Sequence, residues 1–303
     1  MKSIILEHIC CDFCGCEKYL TRYRKPDNWL YINQYEYPIV ECANCGLVYV
    51  NPRPTQDSMG QFYPSNYHED RNTDSFQLRY KLQSEYLPKL DNEVILDIGC
   101  AKGDFLNYLK NTYPNIKTVG VDFFSKKVDY DFIQFQQKNL PDANLQEESF
   151  DLITAWAVFE HLHEPSMYFK EVNRILKSEG KFIFLVTNSE SFYGKHAYVE
   201  DIPRHTYHFS EVSLDNYAKK FGFVPSKYYY ETRFWDSTGY GTFHYKLMEL
   251  FGSSWEKRFL KSDNVLQRFA GEIGCKIDTI VFRKQWEAKK RKSGILIAEF
   301  IKI

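Results

Sequence analysis

The sequence predicts an α/β protein: a doubly wound, mostly parallel sheet of seven strands, with a small N-terminal module before it and a helical cap insertion late in the chain. Three observations predict it. From Asn92 onward short apolar runs alternate with amphipathic stretches, six of the eight cysteines fall in the first sixty residues, and residues 234–292 read as helical and aromatic. Alternating strands and helices place helices on both faces of a sheet, which makes its strands parallel and buried.

The strands are Val94-Ile95-Leu96, Thr118 to Val121, Ile133 to Gln136, Phe150 to Thr154, Lys181 to Val186, Lys227 to Tyr230 and the terminal run Gly294 to Ile303. Helices are predicted at Ser75 to Leu87, with Leu78, Leu82 and Tyr86 as its buried face, at Asp104 to Asn111, and at Ser166 to Lys177 with Gly180 as its cap. Ser210 reads as the N-cap of a further helix that buries Leu214, Tyr217, Ala218 and Phe221 and stops at Gly222. Asn51-Pro52-Arg53-Pro54 marks a boundary, because two prolines in three positions break regular structure. A polar stretch, Tyr67 to Asp74, follows it.

The formal net charge of -1 does not favour a polyanion as partner, so a nucleic-acid partner is not expected. The local exception, Arg283-Lys284 through Lys289-Lys290-Arg291-Lys292, reads as the solvated end of a helix. With 23 Tyr and 24 Phe the chain can fill a core with aromatic side chains. No apolar run is long enough to span a bilayer, and Met1 to Cys16 has no secretory pattern, so the expected compartment is the cytoplasm. Thiols stay reduced there, and eight cysteines then point to metal ligation rather than disulfides.

Cys11-Asp-Phe-Cys14-Gly15 and Cys42-Ala-Asn-Cys45-Gly46 are two C-x-x-C-G knuckles. A two-residue spacer lets both thiolates of a knuckle reach one Zn2+, and the glycine allows the tight turn behind them. Cys11, Cys14, Cys42 and Cys45 are thus expected to hold a structural zinc ion in a zinc-ribbon-like module, with Cys10 and Cys16 as spare thiols that could shift the set.

Strand Val94-Ile95-Leu96 runs into Asp97-Ile98-Gly99-Cys100-Ala101-Lys102-Gly103-Asp104. Small residues let the turn approach a ligand closely, and Asp97 can accept hydrogen bonds from an ammonium group. The spacing is D-x-G-x-A-x-G, distinct from the G-x-G-x-x-G of dinucleotide binders. A second strand, Val119-Gly120-Val121-Asp122, ends in a carboxylate 25 residues after Asp97, placed to hold both ribose hydroxyls.

This set resembles the class I S-adenosylmethionine-dependent methyltransferases. The likeness continues through Asn139-Leu140-Pro141, where the family holds adenine, and through Phe150 to Pro165, similar to the family's fourth strand and its "EHL-x-x-P" turn. It implies a Rossmann-like fold and S-adenosylmethionine as cofactor. The cofactor residues it implies are Asp97, Gly99, Cys100, Ala101, Gly103, Asp122, Phe123, Asn139, Leu140 and Trp156. Ala101 stands where many members have glycine. The implied division is a zinc module at 1–58, a linker and helix at 59–90, the cofactor domain at 91–233 with 293–303, and a cap at 234–292.

The N-terminal knuckles and their C-x-x-C-G-L-V-Y-V-N-P-R-P run narrow the resemblance to bacterial methyltransferases of sugar, capsule and secondary-metabolite pathways. In these a His-containing segment precedes Phe-Ser and a helix, here Pro203-Arg204-His205-Thr206-Tyr207-His208-Phe209-Ser210. The C-methylating members carry Tyr at the position of His208. The resemblance therefore implies O-methylation of a small polar acceptor, a sugar or nucleotide-linked sugar. A hydroxyl acceptor must shed a proton as its new bond forms, which suits a histidine. His205 is the first candidate base, ahead of His208 and His161. Arg204 either holds a phosphate of the acceptor or pairs with a carboxylate. Sugar C-methylation, an RNA methyltransferase and a cofactor-binding scaffold without turnover are the competing readings.

Overall fold

The computed structural model describes residues 3–27, 32–63, 74–192, 201–235, 239–252, 264–282 and 286–303. Residues 67–73 of the expected polar stretch, and Arg283-Lys284 of the basic run, lie outside them.

The N-terminal module comprises β1 (Leu6–Glu7), β2 (Tyr19–Lys25), β3 (Tyr37–Cys42), β4 (Val48–Val50) and β5 (Arg53–Pro54), then the short helix α1 (Gln56–Met59). Helix α2 (Asp74–Ser84) leads into the main domain. There β6 (Val94–Ile98), α3 (Asp104–Thr112), β7 (Lys117–Val121), β8 (Ile133–Gln136), β9 (Phe150–Trp156), α4 (Pro165–Ile175) and β10 (Leu176–Thr187) alternate as expected. They are followed by β11 (Tyr207–His208), α5 (Glu211–Lys220) and β12 (Phe223–Glu231). The insertion holds α6 (Thr242–Leu250), α7 (Val265–Phe282) and α8 (Trp286–Lys289), and β13 (Ile295–Lys302) closes the sheet.

The main sheet has seven strands in the order β12-β13-β10-β9-β6-β7-β8. Pairings from β10 through β8 are parallel, while β13 runs antiparallel to both β10 and β12. This is the doubly wound, Rossmann-like architecture. Strand β10 shows how the layers are filled. Phe182, Phe184 and Val186 face one side, with Phe159, Phe169, Tyr217 and Phe300, whereas Ile183 and Leu185 face the other, with Phe105, Leu106 and Leu109. Each of these fully buried side chains contributes roughly 1.5–3 kcal/mol of transfer free energy. Among the described residues no helix is long and apolar enough to cross a membrane.

The N-terminal module is not a separate bead. Its sheet has the order β11-β4-β3-β2, and β11 comes from the main domain, with Tyr207 opposite Tyr49 and His208 opposite Val48. Cys11, Val40 and Tyr49 belong to the same apolar cluster as Phe169 and Phe184. The guanidinium of Arg53 donates to Glu7 (2.8 Å) and to the carbonyl of His163 (2.8 Å), tying the boundary segment to the turn before α4.

Three local expectations change. Leu82 is buried as expected, but Leu78 is 67% exposed, and α2 buries Tyr80 and Gln83 beside Leu82; the face it covers is set by contact with α3, which apolar periodicity alone does not reveal. Gly180 does not cap α4. That helix passes directly into β10 at Leu176, and Gly180 lies in the irregular stretch before the register resumes at Lys181. In the insertion, α6 and α7 chiefly cover each other. A Cβ on Gly274 would stand 2.4 Å from the Cα of His244, so only glycine permits this crossing. The buried Asp278 carboxylate accepts from the backbone N–H groups of Phe243 and His244, both at 3.0 Å, and so satisfies the start of α6.

Candidate functional site

A crevice of about 1090 Å³ opens at the carboxyl ends of β6, β7 and β9. The parallel strands are added outward from β6 to β8 on one side and then from β9 to β10 on the other, and in open α/β sheets ligands bind outside the strand ends at such a switch point.

The loop after β6 forms its floor. The N–H of Gly99 donates to the carbonyl of Val121 at 2.7 Å, hanging the loop on β7. Gly99 has φ of 72°, and a Cβ there would stand 2.6 Å from Cγ2 of Val158. Ala101 also lies in the left-handed region, at φ of 49°, a conformation costly for any residue but glycine. It is held there by its neighbour: the Ala101 N–H donates to Oδ2 of Asp122 at 2.9 Å. The other Asp122 oxygen accepts from the N–H groups of Phe124 (2.8 Å) and Ser125 (2.7 Å). Asp122 thus braces both loops while lining the crevice.

Asp97 is buried and its Oδ1 accepts from the Thr154 hydroxyl at 2.7 Å. Burial pushes its carboxyl up to about 7, with the charge of Asp122 adding to the shift and the Thr154 bond opposing it. Cys100 lies buried against Gly120, and burial pushes its thiol up. Asn139 Oδ1 accepts from the Tyr168 hydroxyl at 3.2 Å, and Leu140 is buried in the turn that follows. The ring of Trp156 meets Phe105 edge-on, and its buried indole N–H has no hydrogen-bond partner among the described residues. Of the ten residues expected at the cofactor, nine line the crevice, Phe123 among them; Gly103 instead forms the N-cap of α3 with φ of 87°.

The three histidines separate. His161 lines the crevice. Its Nδ1 lies 3.0 Å from the Tyr63 hydroxyl and 3.2 Å from the carbonyl of Arg204. Burial, with the neighbouring His205 adding, pushes His161 down to about 3. His205 stands behind it, rings 4.5 Å apart and edge to face, and is not part of the lining. Burial likewise depresses its imidazole. His208 is further off, in β11, and burial lowers it to about 4. Arg204 is wholly buried, 3.5 Å from Asp27 and 3.8 Å from Asp201, so of its two readings the carboxylate pairing is the observed one.

Other lining residues escaped sequence reasoning: Met59 at the end of α1 and Tyr63 just after it, Arg79 and Gln83 on α2, and Trp235 from the insertion. No spacing rule connects these segments to the loop after β6; they meet it only through tertiary packing.

The four cysteines of the two knuckles converge. Sγ of Cys11 lies 3.5 Å from Sγ of Cys45, Cys14 stands at 3.5 Å from Cys42, and all four sulfurs fall within 4.8 Å of one another. The two turns repeat each other: Gly15 N–H donates to Cys11 and Gly46 N–H to Cys42, with both glycines at positive φ. Four thiols so gathered fit a tetrahedral soft ion. Cys10 is exposed, the thiol of Cys16 turns to the carbonyl of Lys18, and neither joins the cluster.

Residues 67–227 match the family described as "Methyltransferase domain". Among similar proteins, the N-methyltransferase 4 of Papaver somniferum is 23% identical over 128 residues, covering 39% of this chain and 36% of its own. The demethylmenaquinone methyltransferase of Thermotoga maritima is 29% identical over 122 residues, covering 37% of this chain and 52% of its own. The matches thus span about a third to a half of those relatives. In fold, the chain resembles the phosphoethanolamine N-methyltransferase 2 of Haemonchus contortus, with a TM-score of 0.52, 12% identity, and 94% of this chain and 68% of that one covered. It also resembles the complex of the Haloferax volcanii Trm112 methyltransferase activator with a methyltransferase, at a TM-score of 0.50 and 18% identity, covering 77% of this chain and 90% of that one. Matched over more than half its length, and with the doubly wound sheet and the strand-end crevice in place, the chain belongs to the methyltransferase-domain family, on the class I fold.

Proposed function

We propose that the crevice binds S-adenosylmethionine and transfers its methyl group to a hydroxyl of a small polar acceptor, a sugar or nucleotide-linked sugar. The observation that carries the reading is the pair of carboxylates, Asp97 and Asp122, at the ends of neighbouring strands with the glycine loop between them. Asp97, raised by burial, gains a matching charge when the methionyl ammonium arrives. Asp122 is engaged by three backbone N–H groups, two on Oδ1 and one on Oδ2, which leaves a lone-pair site on Oδ2 for a ribose hydroxyl. The orphan indole N–H of Trp156 and the apolar Leu140 suit the remainder of a nucleoside.

Methyl transfer is an in-line displacement at carbon, so the protein must chiefly hold the acceptor in position and exclude water. The polar wall available to the acceptor is His161 with Tyr63. We therefore place the acceptor hydroxyl, and its departing proton, against His161 in preference to His205 or His208. The four cysteines would hold a structural Zn2+ behind the β4–β11 junction.

Calorimetric titration with S-adenosylhomocysteine tests the cofactor, and a panel of nucleotide sugars, free sugars and simple amines tests the acceptor. Absence of binding removes the first reading. Turnover confined to the amines removes the second.

A further inference from the structure

Behind His161 lies a cluster that cofactor binding leaves unused. Glu160 is completely buried in the turn after β9, and His205 is nearly so. One donor atom from each of Glu160, His161 and His205 lies within 4.8 Å of the other two. Neither carboxylate oxygen of Glu160 makes a well-formed hydrogen bond among the described residues, beyond weak contacts with the backbone of Glu160 itself and of Thr187.

A carboxylate enclosed in this way is costly to ionise unless something meets its charge. Arg204 supplies one positive charge and is already flanked by Asp27 and Asp201. A divalent cation bound to Glu160 would meet the charge that burial otherwise disfavours.

We propose that Glu160, His161 and His205 bind a divalent transition-metal ion of the manganese-to-zinc series at the acceptor wall of the crevice. One carboxylate and two imidazoles suit these metals. Metal-bound imidazoles commonly pass their second N–H to a carbonyl or carboxylate. Here Nδ1 of His161 faces the Arg204 carbonyl, leaving Nε2 for the ion, and Nε2 of His205 lies 3.7 Å from Asp201. Donors bonded at about 2.0–2.2 Å stand roughly 3–4 Å apart, so the cluster closes onto an ion with small side-chain shifts. With Nε2 on the ion and Nδ1 turned to the Arg204 carbonyl, His161 would have no lone pair left for a proton; the ion would instead lower the proton affinity of an acceptor hydroxyl at the crevice wall, whose proton would pass to water. That role rests on the hydroxyl reading above; the binding does not.

The test is cobalt titration of the full chain after metal removal, followed by optical absorption and elemental analysis, with no methyl donor or acceptor present. The expected result is two equivalents bound, one with the strong thiolate-to-cobalt band of the cysteine site and one without it. Glu160→Gln and His205→Gln are each expected to lose the second equivalent and to keep the thiolate band. Saturation of the wild-type chain by a single, thiolate-bound equivalent overturns the proposal, as does retention of the second equivalent in a folded Glu160→Gln or His205→Gln chain. Wild-type stoichiometry decides the matter should either variant fail to fold.

Discussion

The carboxylate of Asp12, between the two cysteines of the first knuckle, accepts from both the backbone N–H (3.0 Å) and the hydroxyl (2.7 Å) of Ser166 in the first turn of α4. The Tyr217 hydroxyl of α5 donates to the same oxygen at 2.6 Å. A residue from the cysteine module thus satisfies the start of a main-domain helix, a place normally filled by a local cap. Asp12→Ala should cost about 1–2 kcal/mol, read as a lower midpoint in urea unfolding. An unchanged midpoint would mean that α4 is capped without the module.

Metal at the cysteines should matter to the whole fold for the same reason. Loss of an ion held there would loosen the loop that carries Asp12 and the sheet that includes β11. Stripping the metal under mild conditions should lower the melting temperature of the main transition, rather than split off a separate early one. Differential scanning calorimetry of stripped and zinc-restored protein distinguishes the two outcomes.

The loop after β6 can be read through two substitutions. Ala101→Gly relieves a left-handed alanine and should stabilise the folded chain by up to about 1 kcal/mol. Gly99→Ala adds a methyl that collides with Val158 at a position of φ 72°, and should weaken S-adenosylhomocysteine binding at least about tenfold, a change of about 1.4 kcal/mol. Calorimetry and thermal melting report both.

Asp97 links pH to stability and to cofactor binding. Its carboxyl is raised to about 7 in the fold, above the unfolded value of about 3.9. The unfolded chain ionises first, so this group costs the ligand-free fold stability as pH rises from about 4 to 7, and the cost persists above that range. Asp97→Asn should therefore raise the melting temperature at pH 8 more than at pH 4.5. A cofactor ammonium lowers the carboxyl again, so binding near pH 7 should release a proton, visible as a dependence of calorimetric heat on buffer ionisation enthalpy. Equal heats in all buffers would remove Asp97 from the ammonium contact.

If His161 meets the acceptor, His161→Ala should reduce turnover by about 10²-fold or more and leave S-adenosylhomocysteine affinity within about twofold. His208→Ala should act through stability, because that residue sits in β11 away from the crevice. Steady-state kinetics on the acceptor found in the panel checks both. Full activity of a folded His161→Ala chain would return the base to an open question.

Much of this protein is determined by the sequence alone. Short apolar runs broken by amphipathic stretches specify buried strands under helices, and the seven expected strands recur. The two C-x-x-C-G spacings specify which thiols converge, because a two-residue spacer and a positive-φ glycine are local constraints. Asp97 and Asp122 were legible because both sit at the ends of recognisable strands. What the tertiary structure decided is whatever depends on distant segments meeting. The sequence ranks His205 ahead of His161 as the base, yet packing puts His161 at the crevice wall and encloses His205 behind it. His208 became a sheet residue because β4, far away in sequence, offered it an edge to pair with. Local periodicity records which face of an element is apolar. Which neighbour covers that face, and which side chain it leaves facing a cavity, is a matter of long-range packing.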